Sequence, residues 1–174
     1  MNKNLLAVAV LAASAFTTAA FAADGKVNFA GEIIDQACTV HSDSENQTVT
    51  LGKVYVGAFK GGAGVTAASK DFSLILQDCP DTVKAATVRF DGIQVAGNDA
   101  VLALTDEPGV ATGVGVQIAD NNNKVINLHT DSSIYPLSNT EDNVLGFVAR
   151  YYATSATVTA GKANAVSNFT IIYQ

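Results

Sequence analysis

Apolar and polar residues alternate in short runs along this chain, and no stretch keeps a helical repeat of useful length. Period-two runs near 31–40, 47–56, 71–77, 86–90, 100–104, 115–118, 145–153 and 166–173 each predict a β-strand. Between them, Asp91-Gly92, Gly97-Asn98-Asp99, Pro108-Gly109 and Asp120-Asn121-Asn122-Asn123 mark turns. Many short strands with this punctuation predict an all-β sandwich. The run from Phe147 to Ala153 carries apolar or aromatic residues at both phases, which predicts a strand covered in part on both faces.

Two further alternating segments lie near the ends. In the first, Val27, Phe29 and Gly31 share one face, and Asn28 and Ala30 take the other. In the last, Phe169, Ile171 and Tyr173 share a face, and no strand follows to pair with them. The front segment could fill a vacancy beside the last strand. Filling the vacancy of another copy would make the protein a polymerising subunit. Between the two, the apolar phase moves at Ile33-Ile34, from Val27, Phe29, Gly31 and Ile33 to Ile34, Cys38 and Val40. Because strand side chains alternate with period two, this is either a β-bulge or the point at which the segment passes from one structure to another.

Composition adds a compartment. Lys3, the apolar run Leu5-Leu6-Ala7-Val8-Ala9-Val10-Leu11-Ala12-Ala13 and the ending Ala20-Phe21-Ala22 have the layout of a secretory signal peptide, with cleavage expected after Ala22. The apolar run is too short for a membrane span of about 20 residues. The remainder, 23–174, is expected to form one domain with a real core. It carries nine basic and sixteen acidic residues, a net charge of −7. That balance argues against nucleic acid and anionic lipid as partners, since both recruit clustered Lys and Arg. Two cysteines in an exported chain, Cys38 and Cys79, are expected to form a disulfide, with a pair of buried free thiols as the alternative. Closing a loop of that length stabilises by roughly 4 kcal/mol in the chain-entropy account.

Catalytic chemistry finds little support. His41 and His129 are the only histidines and sit in polar, loop-like settings, too few for a histidine-built metal site. No Gly-x-Ser-x-Gly elbow is present. Asp106-Glu107 and Glu141-Asp142 read as solvated loop carboxylates. Gly57, Gly61, Gly62 and Gly64 lack the Gly-Lys-Ser/Thr ending of a phosphate loop, and the Asp120 turn lacks the distal glutamate of a calcium loop. No catalytic residue, metal or cofactor is expected.

The chain resembles the major subunits of type 1 fimbriae, pilins assembled by the chaperone–usher pathway. The resemblance is carried by Phe29-Ala30-Gly31-Glu32, Cys38, Leu76-Gln77-Asp78-Cys79, Gly113-Val114-Gly115-Val116-Gln117-Ile118, the 147–153 strand and the ending from Phe169. Two marks are more specific: Tyr173 is penultimate, and Gly161 is fourteenth from the C-terminus. The resemblance implies an incomplete immunoglobulin-like Greek-key sandwich (32–174) lacking its last strand, preceded by a donor extension (23–31). It implies Val27, Phe29 and Gly31 as donor residues and Phe169, Ile171 and Tyr173 as the acceptor groove. The partners implied are other pilin subunits, a periplasmic chaperone and an outer-membrane usher, and the destination is a surface fimbria that supports adhesion. Two other readings stay open. A minor or adaptor subunit would share these features, whereas a secreted carbohydrate-binding sandwich would be expected to present an aromatic platform, and this chain has no Trp.

Overall fold

The computed structural model describes residues 25–31, 33 and 37–174; the expected signal peptide, Glu32 and Ile34 lie outside the described residues. The chain divides into an N-terminal unit ending at Ile33 and a body, Ile34–Gln174. Among its described residues the N-terminal unit forms no strand, and Val27, Phe29 and Ile33 are 76%, 93% and 100% exposed.

The body is built almost wholly of strands: β1 (Thr39–Val40), β2 (Thr66–Gln77), β3 (Ala85–Asp91), β4 (Gln94–Val95), β5 (Asn98–Leu102), β6 (Val114–Asp120), β7 (Tyr135–Pro136), β8 (Asn143–Ala153) and β9 (Asn168–Tyr173). They form a six-stranded sheet in the order β1-β2-β8-β6-β5-β4 and a three-stranded sheet in the order β7-β3-β9, and every pairing between them is antiparallel. Alternate residues supply the core: Leu74 and Leu76 from β2, Val88 and Phe90 from β3, Val116 and Ile118 from β6, Leu145 and Phe147 from β8. Phe147 sits at its centre, with ring centroids 5.1 Å from Phe90 and 5.5 Å from both Phe72 and Tyr135. The Cys38–Cys79 disulfide ties the chain just before β1 to the chain just after β2.

The strand expected over 31–40 reduces, among the described residues, to Thr39–Val40. The strand expected over 47–56 does not form. Val49, Leu51 and Val54 do pack against the core, but Gly52 adopts φ +77, which breaks the alternation, and the chain enters a 3₁₀ turn at Val56–Phe59. The other expected strands appear with shifted ends, and the two-residue strands β4 and β7 are too short to leave a period in the sequence. β2 carries a bulge between Ala67 and Lys70, where Ala68 is held at φ +55.

The Asp120 turn closes as expected. Its Oδ1 accepts from the Asn122 and Lys124 amides at 2.9 Å, and its Oδ2 accepts from Ser133 Oγ at 2.7 Å. Burial alone would raise this carboxyl, but those three bonds and the Lys124 charge hold it below the usual range. Tyr135 donates to the Gly146 carbonyl at 2.8 Å, and burial, aided by the Asp120 charge, pushes its phenol up to about 12.

Candidate functional site

A sheet edge presents a row of unpaired amides and carbonyls, and folded proteins keep such edges short, interrupted or covered. Three of the four edges here obey that rule: β1, β4 and β7 have two residues each, and β7 ends in Pro136, which has no amide to offer. The fourth, β9, has six residues and pairs on one side only, with β3. Among the described residues no backbone bond reaches Asn168–Tyr173 from the other side. About half of its backbone groups therefore point at an open flank.

The side chains report the same gap. Phe169 lies opposite Phe90, Ile171 opposite Val88 and Tyr173 opposite Ala86. On β3 all three are fully buried, whereas on β9 their partners are only half-buried, although both rows face the same core. Cover is thus complete at β3 and runs out one strand later. The half-buried row continues upstream through Ala163 and Ala165, which also pack on the core. A second backbone is bare as well: among the described residues no backbone hydrogen bond involves residues 47–54, although Val49, Leu51 and Val54 contact the same core.

β9 is held at both ends. Tyr173 Oη donates to the Cys38 carbonyl at 3.3 Å, which links the bare edge to the disulfide; burial raises this phenol and that hydrogen bond opposes the rise. At the other end Ser167 Oγ donates to the Asp91 carbonyl at 3.0 Å. Further upstream the chain is fastened by backbone bonds between Lys162 and Gly109, Ala111 and Lys162, and Thr105 and Asn164. Gly161 makes this close approach possible, because a Cβ there would run into the Ala111 amide and the Gly109 carbonyl.

Glu107 completes the fastening, accepting from Lys162 Nζ at 3.0 Å and from Asn164 Nδ2 at 2.7 Å, and these bonds hold its carboxyl below the usual range. It stays in a loop open to solvent but is paired there; its partners lie 55 and 57 residues away and leave no local signal. The histidines are local fixtures. His41 Nδ1 accepts from the Asp43 amide at 3.2 Å, and His129 Nδ1 lies 2.8 Å from Asp91 Oδ1.

Phe169, Ile171 and Tyr173 are thus brought into one row beside an open edge, and Val27 and Phe29 stand exposed in the N-terminal unit. Comparison with known proteins gives this arrangement a family. The Fimbrial protein family profile matches residues 27–174. The chain is 40% identical over 171 residues to the long polar fimbria protein A of Salmonella typhimurium, covering 98% of this chain and 94% of that one. It is 40% identical over 185 residues to the type-1 fimbrial protein A chain of Escherichia coli K12, over the full length of both. Among solved structures, an antigen and type I fimbria protein of Burkholderia pseudomallei is 36% identical with a TM-score of 0.61, over 80% of this chain and 91% of that one. The P pilus rod subunit PapA shares the fold at 22% identity, with a TM-score of 0.68 over 80% of this chain and all of that one. The all-β body, with β9 bare along one flank, is an immunoglobulin-like pilin fold, and the chain belongs to the fimbrial protein family.

Proposed function

We propose that this protein is the repeating structural subunit of a surface fimbria, joined head to tail by strand donation. The bare edge of β9, with Phe169, Ile171 and Tyr173 half-buried opposite buried residues of β3, carries the reading. An added strand satisfies the unpaired backbone groups of β9 and completes the cover over that row, and strand addition at an open edge is an established mode of recognition in pilus assembly. Residues 47–54 supply the second wall. The donor is the extension 23–31 of another copy, with Val27 and Phe29 entering the groove and Gly31 set where the groove is tight. Burying the two apolar side chains contributes roughly 1.5–3 kcal/mol each. Donor and acceptor are different surfaces, so the contact need not close on itself, and it propagates as a filament.

Before assembly the same edge takes a strand from a periplasmic chaperone, and exchange for the next subunit's extension occurs at an outer-membrane usher. The filament so formed supports adhesion by carrying a separate tip protein. No catalytic step, metal or nucleotide enters this scheme. The test is deletion of residues 23–30 in cells that otherwise assemble the filament. The deleted subunit is expected to be exported and captured by the chaperone but to add no further subunit. An unheated denaturing gel of surface-sheared material then shows no ladder, where the parent shows one that collapses on boiling. A full ladder from the deleted subunit overturns the donor assignment.

A further inference from the structure

We propose that the outer face of the six-stranded sheet carries a binding trough for a neutral saccharide, a site in the other sheet from β9 and independent of strand donation. The trough, of about 690 Å³, has Asp71 and Ser73 of β2 as one wall, Asn121 and Asn123 of the turn after β6 as the other, and Gly146 and Val148 of β8 as its floor. Register places these residues on one face. Asp71 lies opposite Val148 and Ser73 opposite Gly146, while their neighbours Phe72 and Phe147 turn their rings to the core. Asn121 closes the far side, since a Cβ on Gly146 would lie 3.5 Å from the Asn121 Cβ.

Gly146 is the informative residue. At Gly113, Gly115 and Gly161 a Cβ would run into the backbone of Thr157, Leu102 and Ala111, so the fold itself requires those glycines. Gly146 meets only the ordinary van der Waals contact with Asn121, and it is not among the glycines with left-handed backbone. Nothing inside the described chain needs a glycine there, and glycine weakens a strand, so the open floor fits the close approach of an outside group. The walls say what kind. Asp120, Glu107, Asn143 and Asp131 spend their side chains on bonds within the fold, whereas among the described residues the four wall side chains make none. The asparagines are held in place all the same: Asp120 Oδ1 accepts from the Asn122 and Lys124 amides, and the Asn123 amide donates to the Asp120 carbonyl at 2.9 Å. Two carboxamides, a hydroxyl and a carboxylate, set on a braced turn and a paired strand, match the closely spaced hydroxyls of a sugar. A protein partner would favour aromatic, Met and Arg contacts over Asp and Ser, and no Lys or Arg lines the trough to attract an anion. With both rings turned to the core, recognition is by hydrogen bonds.

The test is retention on an array of neutral, sialylated and sulfated oligosaccharides, using the whole protein purified after export. Three variants are compared with the parent: Gly146→Val, which fills the floor, Asp71→Asn in the wall, and Asp106→Asn, an equal charge change in a loop outside the trough. The parent is expected to retain neutral glycans over sialylated or sulfated ones. Gly146→Val is expected to lower that retention about tenfold or more and Asp71→Asn about threefold or more, while Asp106→Asn stays within about twofold of the parent. A parent that retains no neutral glycan overturns the proposal, as does equal retention by all three variants. Preference for acidic glycans overturns the assigned ligand class. Loss of filament from Gly146→Val, with no glycan held by the parent, gives the trough to another copy of the chain instead. If Gly146→Val does not accumulate as folded protein, Ser73→Ala combined with Asn121→Ala decides by the same criterion.

Discussion

β8 and β9 carry the same kind of sequence and meet opposite fates. Each turns a row of large apolar residues toward the core, but β8 is paired on both sides, with β2 and β6, and β9, among the described residues, on one side, with β3. Phe147 in β8 is 1% exposed, whereas Phe169 in β9 is only half-buried. The energy available from an aromatic residue in β8 is realised on folding, and part of that in β9 stays unrealised beside the open edge. A core that stops one strand short is a binding site by construction, since the surface that would complete the fold is the surface that drives association.

The contrast can be tested by substitution at both strands. Phe147→Ala removes the ring that touches Phe72, Phe90 and Tyr135 and is expected to cost about 3–5 kcal/mol in chemical denaturation of the subunit, with loss of assembly following from loss of fold. Gly161→Val forces a side chain into the backbone of residues 109–111 and is expected to cost about 2–3 kcal/mol, because peptide groups cannot turn aside as side chains do. Gly31→Val meets nothing within 4 Å and is expected to leave subunit stability unchanged while slowing filament growth more than Asn28→Val does. Equal growth rates for these two variants would count against the assigned facing of the donor.

Phe169→Ala is expected to cost the isolated subunit only about 1–2 kcal/mol, since part of the ring is already in water, yet to impair filament persistence more than Phe147→Leu of similar stability. A persistence that simply tracks subunit stability across both variants would show that β9 is an ordinary edge. Alkaline pH should separate the closed and open sides more gently. Tyr135 and Tyr173 both have folded-state values above the unfolded value of about 10, so their contribution is complete below that pH and is lost as pH rises, toward about 12 for Tyr135. Spectrophotometric titration should show Tyr173 moving further upward in filaments than in subunits, while Tyr135 stays where it is. The smallest effect is expected at the β2 bulge. Ala68→Gly relieves a left-handed alanine and should stabilise the subunit by about 1 kcal/mol without altering assembly.

Much of the strand content was legible because side-chain alternation is local: Phe169, Ile171 and Tyr173 share a face in any extended chain, and so do Phe147, Ala149 and Tyr151. The segment 47–56 has the same local signature and forms no strand, since Gly52 turns the backbone and, among the described residues, no ladder partner lies alongside. Glu107 reads as a loop carboxylate until Lys162 and Asn164 are folded onto it.

Alternation, turn residues and paired cysteines are properties of neighbours along the chain, and from them alone come the all-β class, the shared apolar phase of the extension and the shared apolar face of the last strand. Which strand lies beside which is a property of distant residues, settled when the sheets meet. Packing left β9, among the described residues, with one strand partner and set Tyr173 against the Cys38 carbonyl. Hydrogen-bond partners and burial are long-range quantities, and no period of two or any other short repeat encodes them.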